Sequence, residues 1–112
     1  MAAKWTISFY NGKVENKNLS FPPGILANLI HILELIEMFG PNLGKPHTSS
    51  MGKGLFEIRA KGKEGIGRSF FCTIKGQEII ILHSIVKKTR KTPKKYLELA
   101  LRRMKEVKGD RK

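Results

Sequence analysis

Apolar positions recur along this chain with two different periods, and the changes of period mark its elements. Trp5-Thr6-Ile7-Ser8-Phe9-Tyr10 alternates closely enough to predict a strand, which the turn signal Asn11-Gly12 ends. A polar loop is expected from there to Phe21-Pro22-Pro23-Gly24. From Ile25 to Phe39 the polar residues Asn28, His31, Glu34 and Glu37 fall on every third position and form one narrow stripe. The remainder is apolar, which predicts a helix covered on more than one side, by a sheet and by a partner protein. Gly40-Pro41 stops that helix. Residues 42–54, rich in Gly, Pro and Ser, read as loop. Three strand-like runs follow, Leu55–Ala60, Arg68–Ile74 and Glu78–Val86, and the short connections at 61–65 and 75–77 close antiparallel hairpins. Thr92-Pro93 opens a last helix, with the Thr hydroxyl as N-cap and Pro at the first helical position. It runs to about Lys108, stops at Gly109, and buries Leu97, Ala100, Leu101 and Met104, with Glu98 placed to pair with Arg102. The order predicts one α+β domain, 1–112, in which an N-terminal helix and a basic C-terminal helix pack on an antiparallel sheet.

Charge changes the picture most. The 112 residues carry 22 Lys and Arg against 9 Asp and Glu, a net charge of +13. Such a surface favours polyanions, because each neutralised phosphate releases condensed counterions. The excess is uneven: residues 1–50 are near neutral, while 87–112 hold 12 bases and 3 acids. Six cations (Lys87, Lys88, Arg90, Lys91, Lys94 and Lys95) crowd one stretch with no acid between them. Their mutual repulsion calls for an anionic partner. The single cysteine, Cys72, excludes an internal disulfide and a cysteine-rich zinc site. The N-terminal residues lack a signal-peptide apolar region, and the apolar stretch at 25–39 is shorter than the roughly 20 residues of a membrane span. A soluble cytoplasmic protein without a membrane partner is expected.

The catalytic inventory is defined first by what is missing. There is no glycine-rich phosphate loop, HExxH, Cys/His cluster or GxSxG elbow, so neither a cofactor nor a metal is expected. The few acids read as surface positions of strands and helices. Arg59 follows Glu57 on one strand face, Arg68 opens the next strand, His83 sits near the end of the third, and Lys87 follows it. In an antiparallel meander these four make a concave cationic face. Each has a plainer reading: Arg59 solvated or paired with Glu57 or Glu78, Arg68 exposed at a hairpin end, His83 packed under a helix among Ile79, Ile81 and Ile85. His31 and His47 read as structural or surface residues.

Gly54-Leu55-Phe56-Glu57-Ile58-Arg59, then Arg68, then the run Leu82-His83-Ser84-Ile85-Val86-Lys87-Lys88-Thr89-Arg90-Lys91-Thr92-Pro93 resembles the phage-derived, HigB-like branch of the RelE/ParE toxin superfamily. Lys45-Pro46-His47 and Ala100-Leu101-Arg102-Arg103 add to a likeness that spans residues 42–107. Ser84-Ile85 stands where relatives commonly have Gly-Phe, and Ser49-Ser50 where a basic residue is common. The resemblance implies a RelE/ParE-like fold and the toxin of a type II toxin–antitoxin pair, held inactive by a helix-turn-helix antitoxin in a hetero-oligomer. It further implies a ribosome-dependent, metal-independent endoribonuclease acting on mRNA. Arg59 and Arg68 would then stabilise transition-state charge, and His83 or Lys87 would handle the proton. Lys88, Lys91, Lys94 and Lys95 would hold the RNA backbone, and Phe71 or Tyr96 would stack on a base. Two other functions suit the same fold: a gyrase-poisoning ParE-like toxin and a non-catalytic RNA-binding domain.

Overall fold

The structure, a computed structural model, describes residues 4–87 and 92–109, with Lys87 described by its backbone alone. Five strands form one sheet: β1 (Thr6–Phe9), β2 (Thr48–Gly52), β3 (Leu55–Gly62), β4 (Gly65–Ile74) and β5 (Glu78–Lys87). Three helices accompany them: α1 (Gly12–Leu19), α2 (Pro23–Phe39) and α3 (Lys94–Gly109). The sheet order is β1-β5-β4-β3-β2, antiparallel from β2 to β5 as expected, while β1 joins the far edge parallel to β5. The α+β architecture therefore stands, with a mixed sheet. No single helix among the described residues is long and apolar enough to cross a membrane.

α2 packs on one face of the sheet through Ile25, Leu29, Ile32 and Ile36, all fully buried. Their spacing of four, three and four keeps them on one stripe, which meets Ile58, Ala60, Phe71, Ile79 and Ile81. Burial of each such side chain contributes about 1.5–3 kcal/mol. The approach is so close at Gly67 that a Cβ there would come within 2.7 Å of Ile25 Cγ2. Pro22 and Pro23 open α2 but give it no side-chain cap. The Glu64 carboxylate, from the β3–β4 turn, supplies that bond by accepting from Gly24 N at 3.0 Å. Backbone N–H groups of this kind hold the Glu64 carboxyl below its ordinary range. On the opposite face α3 covers Leu55, Phe70, Cys72, Ile80 and Leu82 with Ala100 and Met104. Burial there pushes the Cys72 thiol pKa up, which suits a packed, unreactive cysteine.

Two elements depart from expectation. α1 occupies part of the polar stretch read as loop, and β2 part of the Gly/Ser-rich one. α1 has little apolar face and is held by polar bonds. The Asn11 side chain accepts from Val14 N at 2.9 Å, a regular N-cap. Asn18, buried, donates to Ser84 Oγ at 2.7 Å and accepts from Ser69 Oγ at 2.8 Å, while Ser84 Oγ donates to Ser69 Oγ at 3.0 Å. This closed network ties the helix to β4 and β5. Replacing Asn18 by Ala leaves the buried Ser69 hydroxyl without its acceptor, and a loss of about 1–3 kcal/mol is expected. Leu29→Ala, which opens a cavity under α2, should cost about 2–5 kcal/mol. Ile30→Ser, at an exposed position on the same helix, should stay within about 0.5 kcal/mol. Urea unfolding of the three variants checks the ranking.

Candidate functional site

Two clefts lie on either side of the first turn of α3. The larger, about 490 Å³, opens over the β3–β4 ladder and is lined by Glu57, Arg59, Arg68, Lys45, Lys61 and Leu97, among others. The two-residue turn between Gly62 and Gly65 sets the register and places Arg59 directly opposite Arg68. Like charges on one rung repel. Glu57, two residues before Arg59 and therefore on the same face, answers both. Its Oε2 lies 3.1 Å from Arg68 Nη1, and its Oε1 lies 3.3 Å from Arg59 Nε. The Thr92 hydroxyl adds a long bond to Oε2 at 3.4 Å. Glu57 and Arg68 are 3% and 1% exposed, whereas the Arg59 side chain keeps 37% of its surface accessible. Arg68 thus anchors the carboxylate from below, and Arg59 faces the cleft with its orientation fixed. The lining carries four cations and one carboxylate, so the cleft is positive.

The second cleft, about 340 Å³, is lined by Lys13 and Lys17 of α1, His83 of β5, and Tyr96 and Arg103 of α3, together with Val14, Ser84 and Ile85. His83 stacks on Tyr96 at 5.3 Å between ring centroids. Its Nε2 is buried and has no hydrogen-bond partner among the described residues. Burial, followed by the charges of Arg103 and Lys17, holds the His83 pKa below its ordinary value of 6.5. The neutral form of the imidazole is thereby favoured. Arg103 is itself fixed, donating to Leu82 O at 2.7 Å and lying 4.6 Å from the Tyr10 ring centroid.

Of the four residues expected on one concave face, Arg59 and Arg68 come together and His83 does not join them. Strict alternation along β5 would put His83 beside Ile79 and Ile81, under α2. A bulge between Phe70 and Phe71 shifts the register, so His83 pairs with Phe70 and turns toward α3. Arg68 lies in the strand interior and is buried, against its plainer reading as an exposed hairpin-end residue. Phe71 is fully buried and stacked on Phe56 beneath α2, so it offers no face to a base; Tyr96 borders the second cleft. Lys87 closes β5 opposite Ile66. Lys94 and Lys95 are exposed on the first turn of α3, with Lys95 Nζ 5.1 Å from the Tyr96 ring centroid. Lys88 and Lys91 lie outside the described residues. Glu57, read from sequence as a surface acid, is instead the buried centre of the first cleft. Its signal was present: an acid two positions before Arg59, and a tight turn that sets Arg68 across from it. No group of three His, Cys, Asp or Glu side chains comes together among the described residues.

The depressed His83 pKa makes a stability prediction. The unfolded chain binds a proton near pH 6.5 and the folded chain only at lower pH, so stability is full above 6.5 and is lost as pH falls below it. Urea midpoints at pH 7.5 and 5.5 should differ more for the wild type than for His83→Gln; equal differences would remove His83 as the cause.

No curated protein matches the chain. Among solved structures, RelE in the archaeal RelE–RelB complex from Pyrococcus horikoshii OT3 is similar in fold, with a TM-score of 0.56 at 16% identity. The likeness covers 79% of this chain and 99% of that one. Residues 19–105, from the end of α1 to within α3, match the family described as "Phage derived protein Gp49-like (DUF891)". The match takes in both arginines, Glu57 and His83, and the chain belongs to this phage-derived Gp49-like family.

Proposed function

We propose that the protein is the toxin of a type II toxin–antitoxin pair, of the HigB-like kind, and cuts mRNA on the ribosome without a metal ion. The observation that carries this reading is the arginine cleft, where a buried carboxylate holds Arg59 at the surface of a positive hollow. RNA cleavage of the simplest kind needs no more than fixed cations and a proton acceptor. The ribose 2′-hydroxyl loses its proton and attacks the adjacent phosphorus, the bond to the 5′-oxygen breaks as that oxygen takes a proton from water, and the products are a 2′,3′-cyclic phosphate and a 5′-hydroxyl. Negative charge grows on the phosphoryl oxygens as the attack proceeds. Arg59, already oriented, meets that charge without reorganisation, and Arg68 adds positive potential through its grip on Glu57. Of the two proton acceptors the sequence offers, His83 opens into the second cleft, so removal of the 2′-hydroxyl proton at Arg59 is assigned to Lys87 at the end of β5. Lys88, Lys91, Lys94 and Lys95 hold the RNA backbone at the entrance.

Membership of the Gp49-like family and the RelE-like fold support the same reading. RelE of Pyrococcus horikoshii was solved with RelB, and a protein antitoxin, of the helix-turn-helix type, is proposed here as the natural partner in the cytoplasm.

Expression of the wild type should arrest growth and produce discrete new 5′ ends within translated messages, mapped by primer extension. Arg59→Ala should lower cleavage by about 10²–10³-fold, the usual cost of one fixed transition-state donor. DNA-damage signalling with intact messages would overturn the reading in favour of a gyrase poison. Cleavage unaltered in Arg59→Ala would remove the arginine cleft from the chemistry.

A further inference from the structure

We infer that the cleft around His83 is a second phosphate subsite for single-stranded RNA, built by Lys13 and Lys17 of α1 with Arg103 of α3. The inference rests on the nuclease reading and extends it to a part of the surface that the arginine cleft does not reach.

Lys13 and Lys17 are four residues apart, so they project from one side of α1, one turn from each other. Both line the cleft. Their helix is rigidly mounted, since Asn11 caps it and Asn18 bonds into the buried Ser69–Ser84 pair. Arg103 reaches the same space from the opposite side, held by Leu82 O and the face of Tyr10, and it pairs with no carboxylate among the described residues. The lining therefore contains three cations and no acid. Three positive charges around one hollow repel each other, and an anion between them relieves the repulsion.

The neighbouring groups favour a nucleotide as the source of that anion. His83 offers a buried Nε2 without a hydrogen-bond partner among the described residues, and the His83–Tyr96 stack gives a flat π surface beside the cations. β1 ends with Phe9 opposite Ile81; beyond that point no described strand flanks β5 and α1 packs there instead, so the cleft opens between α1 and α3. Only the first turn of α3 separates this hollow from the arginine cleft, with Tyr96 lining one and Leu97 the other. A single RNA strand laid across that turn places one phosphate at Arg59 and another between Lys13, Lys17 and Arg103.

The test uses the whole protein and a 2′-O-methyl RNA hexamer, which binds but cannot be cut. Lys13→Gln/Lys17→Gln removes two exposed charges, and its thermal melting should match the wild type. Affinity should fall on the order of tenfold, and the dependence of log K on log salt should become shallower by about 0.7, the change for one single-strand phosphate contact. Amide and imidazole shifts on binding should include Lys13, Lys17 and His83. Shifts confined to Arg59, Lys61 and Lys45, with affinity unchanged in the double variant, would overturn the second subsite while leaving the nuclease reading intact. Loss of antitoxin capture with RNA affinity unchanged would assign the three cations to an acidic protein segment and overturn it as well. No hexamer binding together with no message cleavage would bring down both.

Discussion

One buried carboxylate governs the cationic face of this protein. The tight β3–β4 turn forces Arg59 and Arg68 onto the same rung of the sheet, and without Glu57 two guanidiniums would confront each other at short range. A buried ion pair adds little net stability, because desolvation offsets most of its attraction. Its effect here is geometric. Arg68 is wholly enclosed and holds Glu57, and Glu57 in turn fixes the direction of Arg59, whose outer surface stays accessible. A cation fixed in this way suits charge that develops during a reaction, since no reorganisation is needed when it appears.

The rest of the surface is arranged around α3. Its apolar residues seal one side of the sheet, and its first turn divides the positive surface into two hollows. The bulge opposite Phe70 decides what enters the second one. With regular pairing, β5 would bury His83 against α2, where a desolvated imidazole would face only Ile and Leu side chains. The extra residue turns His83 toward Tyr96 and returns Val86 to the core below α2. The lining of the second cleft thus depends on one irregularity in an otherwise regular strand.

The elements with a strong apolar period were legible in the sequence: α2, α3 and strands β1, β3, β4 and β5. α1 and β2 were not, for a physical reason. α1 buries only Val14 and Asn18 and owes its place to hydrogen bonds with residues some 50 to 70 positions away, and no local pattern records such bonds. β2 is a short polar edge strand that takes its register from β3. The site was half legible. Arg59 and Arg68 could be paired by counting back from the turn, but the burial of Glu57 depends on the cover supplied by Thr92 and α3. The side of the sheet that His83 faces depends on a bulge that its own sequence does not mark.

The central claim is that Glu57 sets the geometry of Arg59 for RNA cleavage, and Glu57→Asp tests it most directly. The substitution keeps the charge and withdraws it by one methylene. Purified wild type and variant are compared by single-turnover cleavage of ribosome-bound message, with urea unfolding to confirm that the variant is folded. The expected result is a folded protein that cuts about a hundredfold more slowly, in line with a displacement of about 1 Å at a reacting centre. A folded variant that cuts at the wild-type rate would contradict the claim and leave Glu57 a purely structural counter-ion.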